Sequence, residues 1–190
     1  WAFAVGGESR PYRLEGKPLP FAMGIAYKLA DKLVFSSLKA KMGGNVQFFI
    51  SGSAKLSEQV QEWFYSAGIV VVEGYGSTET SAVASVNVPN KPRFGTVGPA
   101  LPGSEFRIAE DGEVLLKGPG VMRGYHKDPE QTAEVLDADG WFHTGDIGEL
   151  DADGYLRITD RKKALMKTSG GKDVAPQKVE GALAANIPYV

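Results

Sequence analysis

Glu79 stands as the single acid among the hydroxyls of Ser77, Thr78, Thr80 and Ser81 in the turn GYGSTETS, residues 74–81. Hydroxyls on a small-residue turn can donate to phosphate oxygens, and a carboxylate among them can hold a divalent cation. Tyr75 offers a flat aromatic face that suits a planar base. Further on, the stretch HTGD puts Asp146 into a tight glycine turn, and Arg161, Lys162 and Lys163 form a run of cations. Taken alone, Asp146 also fits an Asx turn closing a hairpin, and the cations fit a solvated charged face. His143 flanks the turn and reads as a surface or internally satisfied histidine.

These residues need elements to carry them. Residues 46–50 (VQFFI) and 69–72 (IVVV) are short apolar runs bounded by turn residues, the pattern of buried strands. Between them Ser57 can cap a helix in which Val60, Trp63, Phe64 and Ala67 share one face, and Gly68 stops it. Strand, helix and strand with short links form a βαβ unit with parallel strands and a right-handed crossover. Both strands then end at the same sheet edge. Each runs into a small polar loop, Ser51–Ser57 and Gly74–Thr80, and ligands of open α/β sheets bind where such loops meet. The plainer alternative is two ordinary βα turns.

Upstream, residues 20–41 read as helix, with Ile25, Leu29, Leu33 and Val34 on an apolar face and Lys28, Lys32 and Lys39 outward. From Phe106 the texture changes to short strand-like runs around EDG, DADG and SGG, as in a small antiparallel barrel or meander. From Pro176 a helix is expected, with Val179, Leu183 and Ala184 on one face.

The 190 residues carry a net charge of −2 and a pI of about 5.8, which gives no basic footprint for nucleic acid. Cysteine is absent, which excludes disulfides and thiolate metal sites and fits the reducing cytoplasm, with peripheral membrane attachment left open. No apolar run approaches the roughly 20 residues that span a bilayer. Trp1 at one end and NIPYV at the other read as the ends of an internal fragment.

EGYGSTET, GEVLLKGPGVMRGYHKDPEQT and GWFHTGDIGELDADGYLRITDRKK follow one another in the order and spacing of the adenylate-forming enzymes. The flanking stretches, residues 30–80 and ALMKTSGGKDVAPQKVE, resemble the long-chain fatty acyl-CoA synthetase branch. The resemblance implies an ATP-dependent ligase that activates a fatty acid as an acyl-adenylate and passes it to coenzyme A. It implies Mg²⁺ as cofactor and ATP, a fatty acid and coenzyme A as partners, with no nucleic acid.

By the same resemblance, Thr78 touches phosphate oxygens, Glu79 holds the Mg²⁺ and Lys167 belongs to the catalytic set. Tyr75 stacks on adenine, with Gly52, Ser53 and Ala54 against its other face. Gly74, Gly76 and Ser77 complete the nucleotide loop, Asp146 accepts both ribose hydroxyls, Arg161 adds a donor, and Lys163 is the domain hinge. The fold class implied is α/β. A parallel βαβ subdomain (1–104) is followed by a β-rich, barrel-like subdomain (105–160) and the start of a small α+β C-terminal domain (161–190). No stretch here matches the family's phosphate-loop lysine or its C-terminal adenylation lysine, so the 190 residues alone are not expected to adenylate. Two other readings remain: an adenylating enzyme whose acceptor is a carrier protein, and a non-catalytic nucleotide-binding module.

Overall fold

The computed structural model describes residues 1–162, 166–167, 173–174 and 183. The helix expected from Pro176, the hinge Lys163 and Ser169–Gly171 lie outside the described residues. The chain folds into two compact units: residues 1–73 with 87–95, and residues 74–86 with 96 onward.

The first unit opens with a helix that the apolar spacing does not signal, α1 (Ala2–Leu14). It packs so closely that a Cβ on Gly6 would stand 2.5 Å from the Ser66 carbonyl oxygen. Arg13 lies over the rings of Tyr27 and Tyr65 at 4.8 and 4.5 Å. The expected helix over 20–41 forms as α2 (Phe21–Ala30) and α3 (Ser36–Lys41), joined by a wider turn at Asp31–Phe35. There the backbone N–H of Ser36 reaches the carbonyl of Asp31 five residues back. Its expected apolar stripe is not the buried one. Ile25, Leu29, Leu33 and Val34 are exposed, while Ala30 and Phe35 are fully buried. Lys39 does not simply face water: it pairs with Asp31 at 2.7 Å.

The βαβ unit is present. β1 (Phe49–Ser51) runs parallel to β2 (Val71–Tyr75), with Phe49 opposite Val71 and Ser51 opposite Glu73. Between them lies α4 (Glu58–Ser66). Gly68, at φ 76°, closes that helix, its N–H donating to Tyr65 O while Ile69 N–H reaches back to Phe64 O. β1 is shorter than expected and exposed on its apolar residues. The buried face of α4 overlaps the expected one in part: Ala67 at its end is fully buried and Phe64 packs against the core, but Val60 and Trp63 are exposed and Gln61, Tyr65 and Ser66 are buried in their place. Gln61 earns its place by accepting from Gly95 N–H (3.1 Å).

In the second unit β3 (Ser85–Val86) pairs antiparallel with the end of β2. The β-rich half is a four-stranded antiparallel sheet in chain order: β4 (Glu105–Ile108), β5 (Glu113–Lys117), β6 (Phe142–Leu150) and β7 (Leu156–Arg161). The EDG hairpin joins β4 to β5 with Gly112 at φ 84°. The short helix α5 (Pro129–Val135) is capped by Asp128, whose carboxylate accepts from Gln131 N–H at 2.9 Å. β8 (Met166–Lys167) and β9 (Asp173–Val174) pair with each other. Val97, Val114 and Leu156 form the core of this unit, with Tyr75, Phe106 and Ile158 packed against them.

Gly148 lies where the sheet is tightest: an added Cβ would meet Arg157 O at 2.7 Å and Val114 Cγ2 at 2.8 Å. Gly148→Ala should therefore lower unfolding stability by about 2 kcal/mol through overpacking, read as a shifted urea midpoint. An unchanged midpoint would show that β6 can slide away from β7 at no cost.

Candidate functional site

The turn after β2 is built by close approach. A Cβ on Gly76 would stand 2.3 Å from Ala82 O, so only glycine fits. Ala82 N–H donates back to Ser77 O (2.9 Å) and Ala84 N–H to Tyr75 O (2.8 Å), closing the loop on itself. Ser77 N–H donates to Thr80 Oγ1 at 2.8 Å. Beyond it Ser81 (φ 57°) and Ala82 (φ 80°) are left-handed, a conformation that costs non-glycine residues about 1 kcal/mol each. Three bonds hold the turn despite that cost. Ser81 Oγ donates to Gly120 O (2.8 Å), Met122 N–H donates to Glu79 O (2.7 Å), and Tyr125 Oη donates to Glu79 Oε1 (2.9 Å).

These contacts fix where Glu79 points. Its carboxyl is held below the usual carboxylate range, first by its own backbone N–H, then by the Ser77 and Tyr125 hydroxyls. Thr78 is exposed at the tip. An ionised, half-exposed carboxylate beside the Ser77 and Thr78 hydroxyls is an oxygen-rich set that fits a hard divalent cation and phosphate oxygens.

Asp146 is presented by a defect in the sheet. Leu115 pairs with His143, but Glu113 pairs with Ile147, so β6 carries two residues more than β5 between these points. The excess is taken up at Thr144–Asp146, with Gly145 at φ 72°. Side chains replace the missing ladder bonds. Thr144 Oγ1 donates to Val114 O (2.7 Å) and accepts from Asp146 N–H (3.1 Å). Gly145 N–H donates to Glu113 Oε1 (2.9 Å). Glu113 Oε2 accepts from Lys162 Nζ (2.8 Å) and lies 3.3 Å from His143 Nδ1.

The bulge leaves Asp146 7% exposed and doubly engaged. Tyr75 Oη donates to Oδ2 at 2.6 Å, and Arg161 Nε pairs with Oδ1 at 3.1 Å. Arg161 itself is 70% exposed, so its outer nitrogens can reach a ligand. Tyr75 is half-buried, its ring 6.3 Å from that of Phe106. Burial, then the negative charge of Asp146, pushes its phenol well above the ordinary tyrosine range.

Tyr75, Asp146 and Arg161 are thus one hydrogen-bonded group, and Gly76, Ser77, Thr78 and Glu79 share one turn with Gly74 and Tyr75. Gly52, Ser53 and Ala54 belong to the first unit, where they follow β1 as an exposed loop with Ser53 at φ 66°. That loop is tied down at Leu56, whose N–H donates to the buried Glu73 Oε1 (2.8 Å). Of Lys167 the backbone alone is described, as part of β8. Sequence reasoning passed over Glu113, Thr144 and Tyr125, although all three stand in quoted motifs. Only the fold brings them to Gly145 and Glu79.

The family model described as AMP-binding enzyme matches residues 20–126. A putative fatty-acid–CoA ligase, FadD11, of Mycobacterium tuberculosis is 41% identical over 191 residues, covering 100% of this chain and 34% of that protein. Long-chain-fatty-acid–CoA ligase 5 of Rattus norvegicus is 41% identical over 174 residues, covering 85% of this chain and 26% of that protein. The crystal structure of ATP-bound MatB from Rhodopseudomonas palustris superposes with a TM-score of 0.69 at 36% identity, covering 85% of this chain and 34% of that one. The chain therefore spans about a third, or less, of the curated relatives it matches.

The Tyr75 phenol gives a pH test. A proton bound more tightly in the folded than in the unfolded state stabilises fully below the unfolded tyrosine pKa near 10 and is lost as pH rises toward the folded value. Tyr75→Phe should flatten the alkaline limb of urea stability measured from pH 8 upward. Parallel limbs would mean that the phenol ionises as freely in the fold as outside it.

Proposed function

The chain belongs to the AMP-binding enzyme family, and we propose that the polypeptide carrying it activates a long-chain fatty acid with ATP and Mg²⁺, then transfers the acyl group to coenzyme A. The observation that carries this reading is the Asp146 bulge: a buried carboxylate, oriented by Tyr75 and Arg161, in the same unit as the Glu79 turn. A carboxylate is acceptor-only, and each oxygen keeps a lone pair beyond the donor it already has, so Asp146 suits a vicinal diol such as a ribose. The names of the relatives, ligases of fatty acids with coenzyme A, support the acid and acceptor classes. The division at residues 104/105 and 160/161 is part of the same proposal.

Each residue then has a part. Asp146 and Arg161 hold the ribose, while Tyr75 orients Asp146 and offers its ring to adenine. Gly52, Ser53 and Ala54 are assigned to the nucleotide by the family resemblance alone, and Gly74 and Gly76 let the backbone come close to it. Ser77 and Thr78 donate to phosphate oxygens. Glu79 would hold Mg²⁺, which when bound offsets negative charge on the departing pyrophosphate. Tyr125 keeps the Glu79 carboxylate turned into place. Lys167 and the hinge Lys163 serve the later transfer step. The site of action is the cytoplasm, and among the described residues no helix is long and apolar enough to cross a membrane.

Hydroxylamine trapping of the acyl-adenylate, run on the polypeptide as its gene encodes it across short-, medium- and long-chain acids, tests the reading directly. Long-chain acids should give the highest kcat/KM and consume coenzyme A stoichiometrically when hydroxylamine is omitted. No trapped product with any acid would end it. Glu79→Ala should cut adenylation by at least about 100-fold with little change in melting temperature. Parallel losses in both would assign Glu79 to the fold instead. Asp146→Asn should weaken ATP binding about tenfold, the worth of one charge-assisted acceptor, and unchanged calorimetric affinity would remove the ribose role.

A further inference from the structure

Glu113 is 5% exposed at the start of β5, and a carboxylate buried that deeply is costly unless all its surroundings donate to it. Its two oxygens are engaged differently. Oε1 takes Gly145 N–H, the amide that the bulge in β6 has moved away from any β5 carbonyl. Oε2 takes Lys162 Nζ, which also pairs with Asp111 Oδ2 at 2.6 Å on the β4–β5 hairpin. Arg161 and Lys162 are adjacent at the end of β7, and each ends on a buried carboxylate, Arg161 on Asp146 and Lys162 on Glu113. His143 completes the surroundings, its Nδ1 facing Glu113 and its Nε2 4.0 Å from Asp137.

We propose that Glu113 is a positioning residue: it holds the Gly145–Asp146 bulge in the shape that presents Asp146 to the nucleotide, and Lys162 sets how firmly it does so. The proposal rests on Asp146 binding the ribose. Glu113 itself touches no ligand and acts through the Gly145 amide. Without it that part-buried N–H loses its acceptor, and the bulge relaxes, turning Asp146 away from Tyr75 and Arg161. Lys162 matters because burial is the largest single influence on Glu113 and pushes its carboxyl up. Lys162, the Gly145 N–H and His143 together outweigh it and keep the carboxyl below its ordinary range. Remove Lys162, and a charge is left in the sheet with too few donors.

The pairing makes the variants non-additive in a stated order. Glu113→Gln keeps an oxygen for Gly145 N–H and removes the buried charge. Lys162→Met leaves the charge uncompensated. Glu113→Ala loses the acceptor altogether. On the gene-encoded polypeptide, exchange of the Gly145 amide, read by NMR or fragment-resolved hydrogen–deuterium exchange, should speed up at least about tenfold in Glu113→Ala and about threefold in Lys162→Met. Glu113→Gln should stay within about twofold of the parent, and Glu113→Gln with Lys162→Met should be slower-exchanging than Lys162→Met alone.

The KM for ATP should rise in that same order with kcat altered less, because the ribose contact is made in ground and transition states alike. Leu150→Ala, in the same sheet but away from the bulge, serves as a control: it should lower the melting temperature and leave KM for ATP alone. Three results overturn the proposal: unchanged Gly145 exchange in Glu113→Ala, unchanged KM where exchange has risen, or Lys162→Met no worse than Glu113→Gln. Should Glu113→Ala fail to fold, the other three variants carry the test by their order. If Asp146→Asn leaves ATP binding intact, the ribose reading fails and takes this proposal with it. If Asp146→Asn weakens ATP binding and Glu113→Ala does not, the positioning role alone is wrong.

Discussion

Burying a carboxylate in a β-sheet is costly unless donors replace the water it gives up, and the bulge in β6 imposes that condition on its own Asp146 and on Glu113 across the ladder in β5. Asp146 is satisfied by Tyr75 and Arg161, Glu113 by Gly145, Lys162 and His143. The bulge in β6 links them, because the two residues it inserts break the ladder to β5 and leave amides and carbonyls for side chains to take up. Thr144 and Glu113 take them up. The result is a turn held by side chains, and a binding carboxylate needs such fixing if its lone pairs are to meet a diol without reorganising.

The Glu79 turn reaches the same end by a different route. It has no sheet ladder to interrupt. Instead Gly76 lets Ala82 O come within contact distance, two non-glycine residues are held left-handed, and the GPGVMRGY segment supplies Gly120 O, Met122 N–H and Tyr125 Oη as fasteners. Strain at the loop is sustained by those bonds. Two motifs separated by some forty residues are therefore one device: the hydroxyl-rich turn carries the acid, and the later glycine-rich segment aims it.

The apolar surface of the first unit has a simpler origin. Helix α2, the wider turn after it and helix α4 expose Ile25, Leu29, Leu33 and Trp63 although their spacing marks them for burial. Helical periodicity records which faces the sequence prepares for burial, and it cannot say which of two apolar stripes the neighbouring element meets. In α4 the stripe that met its neighbours contains Gln61 and Ser66, polar residues kept inside by hydrogen bonds to Gly95 N–H and Glu62 O. No count of apolar positions would select them.

The sequence by itself determined what is local or carried by residue type. The parallel βαβ pair, the glycine stops at Gly68 and Gly112, and the change to short antiparallel strands after Phe106 all follow from periodicity and turn chemistry. Ser77, Thr78 and Glu79 could be named from residue type on a small-residue turn, whereas Asp146 and Arg161 are singled out by resemblance to the family's motifs, since their local sequence fits an Asx turn and a solvated charged run equally well. Tertiary structure alone decided the rest: the two-residue excess of β6, the pairing of Tyr75 with Asp146 across 71 positions, and the capture of Gly145 by Glu113. Register and long-range hydrogen bonds are set by which strands meet and where they slip, and that free energy belongs to the assembled sheet rather than to any one segment of the chain.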